Sequence, residues 1–318
     1  MLLFLHKRHI GRLLEKALTV LFLLAILSSC NKAVYESATS QVNLQKYDGI
    51  NRVLIIGIDG CRPDLLTKEI APNIVELMDQ PETAYSLKAK NESRTMSGTN
   101  WSSMLTGVHH QKHQVNGNGF RKPNFDEHPS IFAKAESTYE NINTASIVHW
   151  KPINKQIIQD AVDISLFGND EEVKNLAVDL LQTNDTIHFV FLHFDDVDHA
   201  GHSTGFGVEN PNYVNAVKQT DEYIGAVLNA LAARDLSHEN WLTILSTDHG
   251  GKGKSHSKGR LVPEIRTVFA IFSGNAVAQQ GVISEQVNTV DIAATVLQHL
   301  GVQQKGLDGK VVEIKPVN

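Results

Sequence analysis

The stretch that decides the fold is 241-WLTILSTDHGGKGKSH-256. Its first half is a short apolar run with the length and composition of a strand buried in a parallel sheet. The run ends at Asp248, His249 and two glycines, and His256 follows shortly afterwards. Ligands of open α/β sheets bind just beyond the carboxyl ends of the strands. A carboxylate and two imidazoles at that position suit a divalent metal ion, although a hydrogen-bonded turn with solvated histidines fits this stretch alone equally well.

Two other apolar runs end in carboxylates. The run 53-VLIIGI-58 leads directly into Asp59, and 188-HFVFLHF-194 leads into a loop that places Asp198 four residues before His202. An aspartate at the mouth of a buried strand is costly unless it is paired or bound to metal. Asp59 could instead cap the short segment that follows it. The two runs therefore give a second and a third candidate for strand-end ligands.

A segment rich in hydroxyl side chains, 92-ESRTMSGTNWSSMLTG-107, turns into a helical pattern near Asn100. A serine or threonine at the start of such a helix is commonly its N-cap. The alternative is a nucleophile whose alkoxide is stabilised by the N–H groups and the dipole of the helix N-terminus, which also suit a phosphate group.

Four further residues lie close to strand ends. His149 and Trp150 follow a predicted strand at residues 145–148 and are interpreted as a possible wall of the substrate site. Asp195 and Asp196 precede Asp198 and are interpreted as supporting or solvated carboxylates.

Strands and helices alternate along the chain from residue 50 onward. Helical spacing covers residues 71–78, 171–182, 212–234 and 291–300, and another strand is predicted at residues 267–272. The pattern contains no internal repeat and no Pro/Gly-rich break, so residues 50–318 are predicted to form one domain. The predicted fold is α/β: a doubly wound, mostly parallel sheet with helices on both faces.

The first thirty residues differ from the rest of the chain. Residues 1–29 carry four basic side chains followed by an eleven-residue apolar run, too short to span a bilayer. Small residues precede Cys30, which resembles the cleavage box of bacterial lipoproteins, in which the cysteine becomes the acylated first residue. A plain secretory signal or an uncleaved anchor is the alternative. We expect a signal peptide at 1–29, a polar tether at 30–49, and a lipid-anchored membrane protein of the bacterial cell envelope, facing the periplasm or the cell surface.

The net charge and the cysteine content limit the functions that can be expected. Without residues 1–29, which hold four of the 29 Lys and Arg residues and one of the 35 Asp and Glu residues, the formal charge is −9. Such an acidic chain is poorly suited to bind the negatively charged backbones of nucleic acids, and no binding to nucleic-acid duplexes is expected. With Cys30 acylated, Cys61 has no partner for a disulfide.

The strand ends together supply enough ligands for two divalent ions beside a hydroxyl nucleophile. Two ions about 4 Å apart can clamp the attacking and leaving oxygens of an in-line displacement at phosphorus. A serine hydroxyl is a weak nucleophile at neutral pH, and metal coordination is one way to activate it. The six candidate ligands are Asp59, Asp198, His202, Asp248, His249 and His256.

The ordered motifs resemble the alkaline phosphatase superfamily, in its nucleotide pyrophosphatase/phosphodiesterase branch. The resemblance rests on IDG at 58–60, the hydroxyl segment ending in LTG at 105–107, D-x-x-x-H at 198–202 and DHG at 248–250, with His256 after them. It extends over about residues 50 to 312. The resemblance implies a phosphoester as the small-molecule substrate, and two ions that are usually zinc. It assigns Asp198, His202 and His256 to one ion, and Asp59, Asp248 and His249 to the other, which also contacts the nucleophile.

The same resemblance selects the nucleophile. Relatives place it ten residues before the glycine of the T-G step, which is Ser97 when counted from Gly107. Thr95 is the fallback, because threonine is the commoner nucleophile in this branch. The alignment also implies that Asn100 donates to a non-bridging phosphate oxygen.

The expected reaction is hydrolysis of phosphodiester or pyrophosphate bonds through a covalent phosphoseryl intermediate. Phosphomonoesterase or sulfatase activity of the same superfamily is the alternative, although SGTNW at 97–101 lacks the proline and arginine of sulfatases. A lipid-anchored binding protein without catalysis is the alternative from another class. Thr99 and Ser257 stand where relatives often have proline and glycine, which affects the shape of the pocket.

Overall fold

A single eight-stranded sheet forms the centre of the described chain. The structure is a computed structural model that describes residues 51–278 and 280–313. The strand order is β4-β3-β5-β1-β6-β7-β2-β8. The strands are β1 Arg52–Ile58, β2 Thr83–Lys90, β3 Thr144–Val148, β4 Ile164–Phe167, β5 Phe189–Phe194, β6 Trp241–Ser246, β7 Thr267–Ser273 and β8 Gly281–Val282.

Helices connect most of these strands. The α-helices are Pro72–Met78, Ser97–Thr106, His110–His113, Ile131–Thr138, Asp170–Thr183, Asp196–Thr204, Pro211–Ala232, Pro263–Arg266 and Thr289–His299. Residues Ile153–Ile158 form a π-helical turn, and short 3-10 segments occur at Pro63–Leu65, Leu236–His238 and Gly259–Leu261. The alternation of strands and helices confirms the α/β prediction.

The sheet is mostly parallel, as predicted. β1 lies at its centre and pairs in parallel with β5 on one side and β6 on the other. β7 is antiparallel to both β6 and β2. β2, β4 and β8 were not predicted, because their side chains are only partly buried and their apolar pattern is correspondingly weak.

The central strands are buried on both faces. Every residue of β1, β5 and β6 is buried, as expected for parallel strands covered by helices on both sides. Because the three strands are neighbours and run in the same direction, their carboxyl ends meet at one edge of the sheet. The loops that follow them carry most of the predicted ligands.

One predicted loop proved to be a helix. Residues 195–205 were expected to form a loop, but Asp196–Thr204 is helical. Asp198 and His202 therefore lie one helical turn apart on the same face. Gly201 allows the helix to pack closely on Phe206, because a Cβ at this glycine would lie 2.3 Å from the Phe206 ring.

The predicted signal peptide, tether and lipidated Cys30 lie outside the described residues and stay predictions. Of the helices in residues 51–278 and 280–313, none is long and apolar enough to cross a bilayer. Cys61 is buried with a free thiol.

Candidate active site and metal centre

The candidate site lies at the carboxyl ends of β1, β5 and β6. Asp59 follows β1 directly, Asp198 and His202 lie on the helix after β5, and Asp248 and His249 follow β6. His256 comes from the loop beyond, and its ring stacks on that of His249 with the centroids 3.7 Å apart. The structure thus brings together all six side chains that the sequence predicted as ligands.

Asp59 is fixed at the bottom of the site. Its Oδ2 accepts hydrogen bonds from Nε1 of Trp101 at 2.9 Å and from Nε2 of His193 at 3.2 Å. Its Oδ1 has no hydrogen-bond partner among the described residues and lies 3.4 Å from Nε2 of His249. Burial pushes the pKa of Asp59 upward, but the His193 hydrogen bond and the nearby imidazoles hold that pKa below its ordinary value overall.

Asp248 and Asp198 also direct unpaired oxygens into the site. Asp248 Oδ1 accepts from the backbone N–H groups of Gly60 and His249, while Oδ2 has no partner within the described residues. Asp198 Oδ1 is likewise unpaired there. Burial, followed by the charge of Asp59, raises the pKa of Asp248 well above its usual range and that of Asp198 to about 9. Three buried carboxylates with unpaired oxygens are unfavourable by themselves, and a bound cation would remove that cost.

The three histidines share one orientation. In each, Nδ1 donates to a backbone carbonyl, which leaves Nε2 with its lone pair. His249 donates to Gly250 at 2.9 Å, and His202 donates to Lys254 at 3.0 Å. The third, His256, donates to the carbonyl of residue 95 at 2.6 Å. A hydrogen bond at one ring nitrogen that fixes the other for coordination is typical of metal-ligating histidines.

The distances group the ligands in two sets, one of which differs from the assignment that the resemblance implied, because His249 takes the place of His202. Ligand atoms of Asp59, Asp248 and His249 lie within 4.8 Å of one another, as do those of Asp198, His249 and His256. His249 thus belongs to both groups. His202 lies beside the second group, with its Nε2 3.3 Å from Oδ2 of Asp198. The donor set, three carboxylates and three imidazoles, suits two zinc-type ions.

Ser97 lies directly against this centre. It is the first residue of the Ser97–Thr106 helix, whose N-cap is Met96 without a side-chain capping bond. The Ser97 side chain therefore has no capping role, and its Oγ lies 3.2 Å from Nε2 of His249. Since that nitrogen carries a lone pair, the hydroxyl donates to it. The position suits a nucleophile.

The side chains of Thr95 and Asn100 are already engaged in hydrogen bonds within the protein. The Thr95 hydroxyl donates to the carbonyl of His256 and accepts from the N–H of Gly259. The Asn100 amide donates to the carbonyls of Arg94 and Met96, and its Oδ1 accepts from the backbone N–H of residue 92. The fallback nucleophile is therefore occupied, and the predicted phosphate contact of Asn100 has no free donor.

Three further residues at the site were not predicted from the sequence. Trp101 and His193 hold Asp59, and the ring of Trp101 meets that of His193 edge to face with the centroids 5.0 Å apart. Asn118 accepts from the N–H of Gly98, the residue after Ser97, at 2.8 Å. One signal was available: Gly57 interrupts the apolar run at residues 53–58, and its missing Cβ makes room for the Trp101 ring.

Comparison with known proteins identifies the family. Residues 53–268 match the sequence profile of type I phosphodiesterase/nucleotide pyrophosphatase. The chain belongs to this family.

Relatives in sequence agree with that assignment. The chain is 23% identical over 277 residues to a bis(5'-adenosyl)-triphosphatase of Xenopus laevis, covering 80% of this chain and 59% of the relative. The human bis(5'-adenosyl)-triphosphatase is 25% identical over 220 residues, covering 63% of this chain and 47% of the relative. The chain thus spans about half the length of these relatives.

The fold is shared more widely than the sequence. Murine ectonucleotide pyrophosphatase/phosphodiesterase 5 superposes with a TM-score of 0.67 at 13% identity, covering 82% of this chain and 98% of that one. A 2-O GAG sulfatase superposes with a TM-score of 0.64 at 13% identity, covering 83% and 73%. Both comparisons support the alkaline phosphatase-like fold predicted from the sequence.

Proposed function

We propose that this member of the phosphodiesterase family hydrolyses phosphodiester or pyrophosphate bonds with two divalent metal ions, and that Ser97 is the nucleophile. The observation that carries the proposal is that three carboxylates with unpaired oxygens lie among three neighbouring histidines, one of which, His249, has its Nε2 3.2 Å from Oγ of Ser97. A site of this composition has little other chemical use.

Two sets of residues would hold the two ions. Asp59, Asp248 and His249 would hold one ion, and Asp198, His202 and His256 the other. When bound, the ions supply positive charge that lowers the pKa of the attacking hydroxyl and stabilises the phosphoryl oxygens. Zinc fits the donor set best.

Ser97 forms the new bond. Its Oγ attacks phosphorus, the bond from phosphorus to the leaving oxygen breaks, and the resulting phosphoserine is hydrolysed by water in a second displacement. Its position at the first turn of a helix places backbone N–H groups and the positive end of the helix dipole near the phosphate. These groups are fixed before the substrate arrives.

Asn118 replaces Asn100 as the side chain expected to contact a phosphate oxygen. Its Oδ1 is held by the N–H of Gly98, the residue that follows Ser97. Asn118 is exposed, which leaves Nδ2 accessible to a ligand. Such a contact would act as one donor of an oxyanion hole.

Without a further cation at the site, the two nearby lysines would leave a diester favoured over a monoester substrate. A monoester dianion benefits from an additional cation, but Lys252 binds Glu264 at 2.8 Å and Lys254 donates to the carbonyl of Ser203 at 2.8 Å. Both ammonium groups are therefore engaged.

The test compares three p-nitrophenyl substrates: bis-p-nitrophenyl phosphate, p-nitrophenyl phosphate and p-nitrophenyl sulfate, each with and without zinc. We expect zinc-dependent turnover of the diester to exceed that of the other two. Ser97→Ala should lower diester turnover roughly a thousandfold or more, while Thr95→Ala should keep most of it. Turnover that survives in Ser97→Ala and disappears in Thr95→Ala would overturn the assignment of the nucleophile. Absence of zinc-dependent turnover of any substrate would favour a binding protein.

A further inference from the structure

A second group of imidazoles and carboxylates lies next to the proposed catalytic centre. His149 follows β3, Asp195 follows β5, and His199 lies on the Asp196–Thr204 helix. One ligand atom from each of the three lies within 4.8 Å of the others. None of the three belongs to the ligand sets of the proposed function.

Asp170 fixes the geometry of this group from beneath. It is fully buried, and its Oδ1 accepts from Nδ1 of His149 at 2.7 Å. The same carboxylate accepts from the backbone N–H groups of Asp195 at 2.8 Å and Asp196 at 3.1 Å. The carboxylate–imidazole pair leaves Nε2 of His149 with its lone pair, the arrangement that supports metal-ligating histidines.

Asp195 supplies the buried carboxylate of the group. It is only 6% exposed. Its Oδ2 lies 3.3 Å from Nε2 of His199. A buried carboxylate is unfavourable unless a positive charge compensates it, and a cation held by this group would do so.

We propose that His149, Asp195 and His199 bind a third divalent cation of the zinc or manganese class. Two imidazoles and one carboxylate suit such borderline ions. Three protein ligands leave at least one coordination position for water or substrate. The His199 side chain is 59% exposed, so this position is reachable from solvent.

The third ion would lie close to the catalytic pair. Asp195 also belongs to a tight group with Asp59 and His193, whose ligand atoms lie within 4.8 Å of one another. A cation at His149, Asp195 and His199 would therefore neutralise the charge beside Asp59. Its open position would face a phosphate or leaving group that extends beyond the scissile bond.

The test counts bound ions. The chain is freed of metal with a chelator, equilibrated with zinc and dialysed, and the zinc content per chain is measured by mass spectrometry. His199→Ala is the primary variant, because its exposed side chain can be removed without disturbing the core. His238→Gln changes an exposed histidine elsewhere and serves as the control, and circular dichroism verifies folding.

The expected result is a loss of one ion per chain in His199→Ala, no loss in His238→Gln, and the same loss in His149→Gln. Equal zinc content in His199→Ala and the unmodified chain would overturn the third site and show that these groups form charge pairs only. The result is independent of the two-ion count. A fall from two ions to one would support the third site while contradicting the two-ion centre, and a chain that binds no zinc contradicts both.

Discussion

The contact between Gly57 and Trp101 gives the sharpest test of how the site is built. A Cβ added at Gly57 would lie 2.4 Å from Cη2 and 2.8 Å from Cζ3 of Trp101, whereas ordinary contacts begin at 3.4 Å. In Gly57→Ala the indole must therefore withdraw by about 1 Å. The ring is fully buried and packs edge to face against Phe191 and His193.

The withdrawal has two energetic consequences. Overpacking of a filled core costs about 1–3 kcal/mol. Moving the indole also lengthens its 2.9 Å hydrogen bond to Asp59 beyond the range of a hydrogen bond. A bond to a charged group contributes about 1.5–3 kcal/mol. Because the two effects overlap, we expect Gly57→Ala to lower the free energy of unfolding by roughly 3 kcal/mol, or the midpoint by roughly 6–12 °C.

Thermal and urea unfolding of a double-mutant cycle measures this coupling. Trp101→Phe removes the ring atoms that the new methyl group would meet, so the double variant should lose less stability than the sum of the single variants. Gly119→Ala is the control, since its added Cβ would meet only Arg121 Cγ at 4.0 Å. Strictly additive losses, or a Gly57→Ala variant as stable as the Gly119→Ala control, would refute the reasoning.

Two other predictions concern buried carboxylates that support the fold. Burial raises the pKa of Glu92, but hydrogen bonds from His109 and its neighbour lower it overall, from 4.5 to about 2. The pKa of His109 is raised above 6.5, first by the Glu92 hydrogen bond. The stability lost in Glu92→Gln, about 2 kcal/mol, should thus be largest between about pH 4.5 and 6.5. This loss of stability should shrink as pH falls towards 2 or rises past the pKa of His109 in the folded protein. A difference in urea midpoints between Glu92→Gln and the unmodified chain that does not change with pH would contradict this. Asp221 accepts from two backbone N–H groups at the start of the Pro72–Met78 helix, which lacks its own side-chain cap. Asp221→Ala should cost about 2 kcal/mol, against almost none for the exposed helical control Asp179→Ala; equal melting temperatures would be the contrary result.

The central strands and their ligands could be predicted because each is marked by a pattern within one short segment of the sequence. The runs that became β1, β5 and β6 are mainly apolar, and strand ends in parallel sheets converge. Asp59 and Asp248 therefore could be placed at one edge without a structure. The position of these two aspartates directly after buried apolar runs was enough to predict where they lie.

The parts that were missed depend on distant contacts. Asp196–Thr204 consists mainly of weak helix formers, and its helix is held by packing on the Pro211–Ala232 helix. The spacing that selected Asn100 gave no information on where its amide points. Asn118 lies 20 residues after Gly98 in the chain, and only the folded loop shows that the two form a hydrogen bond.

The ligands of the proposed centre are separated widely along the chain, from Asp59 to His256. Because β1, β5 and β6 must be paired in register before these side chains meet, no partly assembled sheet can bind the ions tightly. Binding of the proposed ions would thus favour the completely assembled sheet, and a chelator would lower the free energy of unfolding as well as the activity.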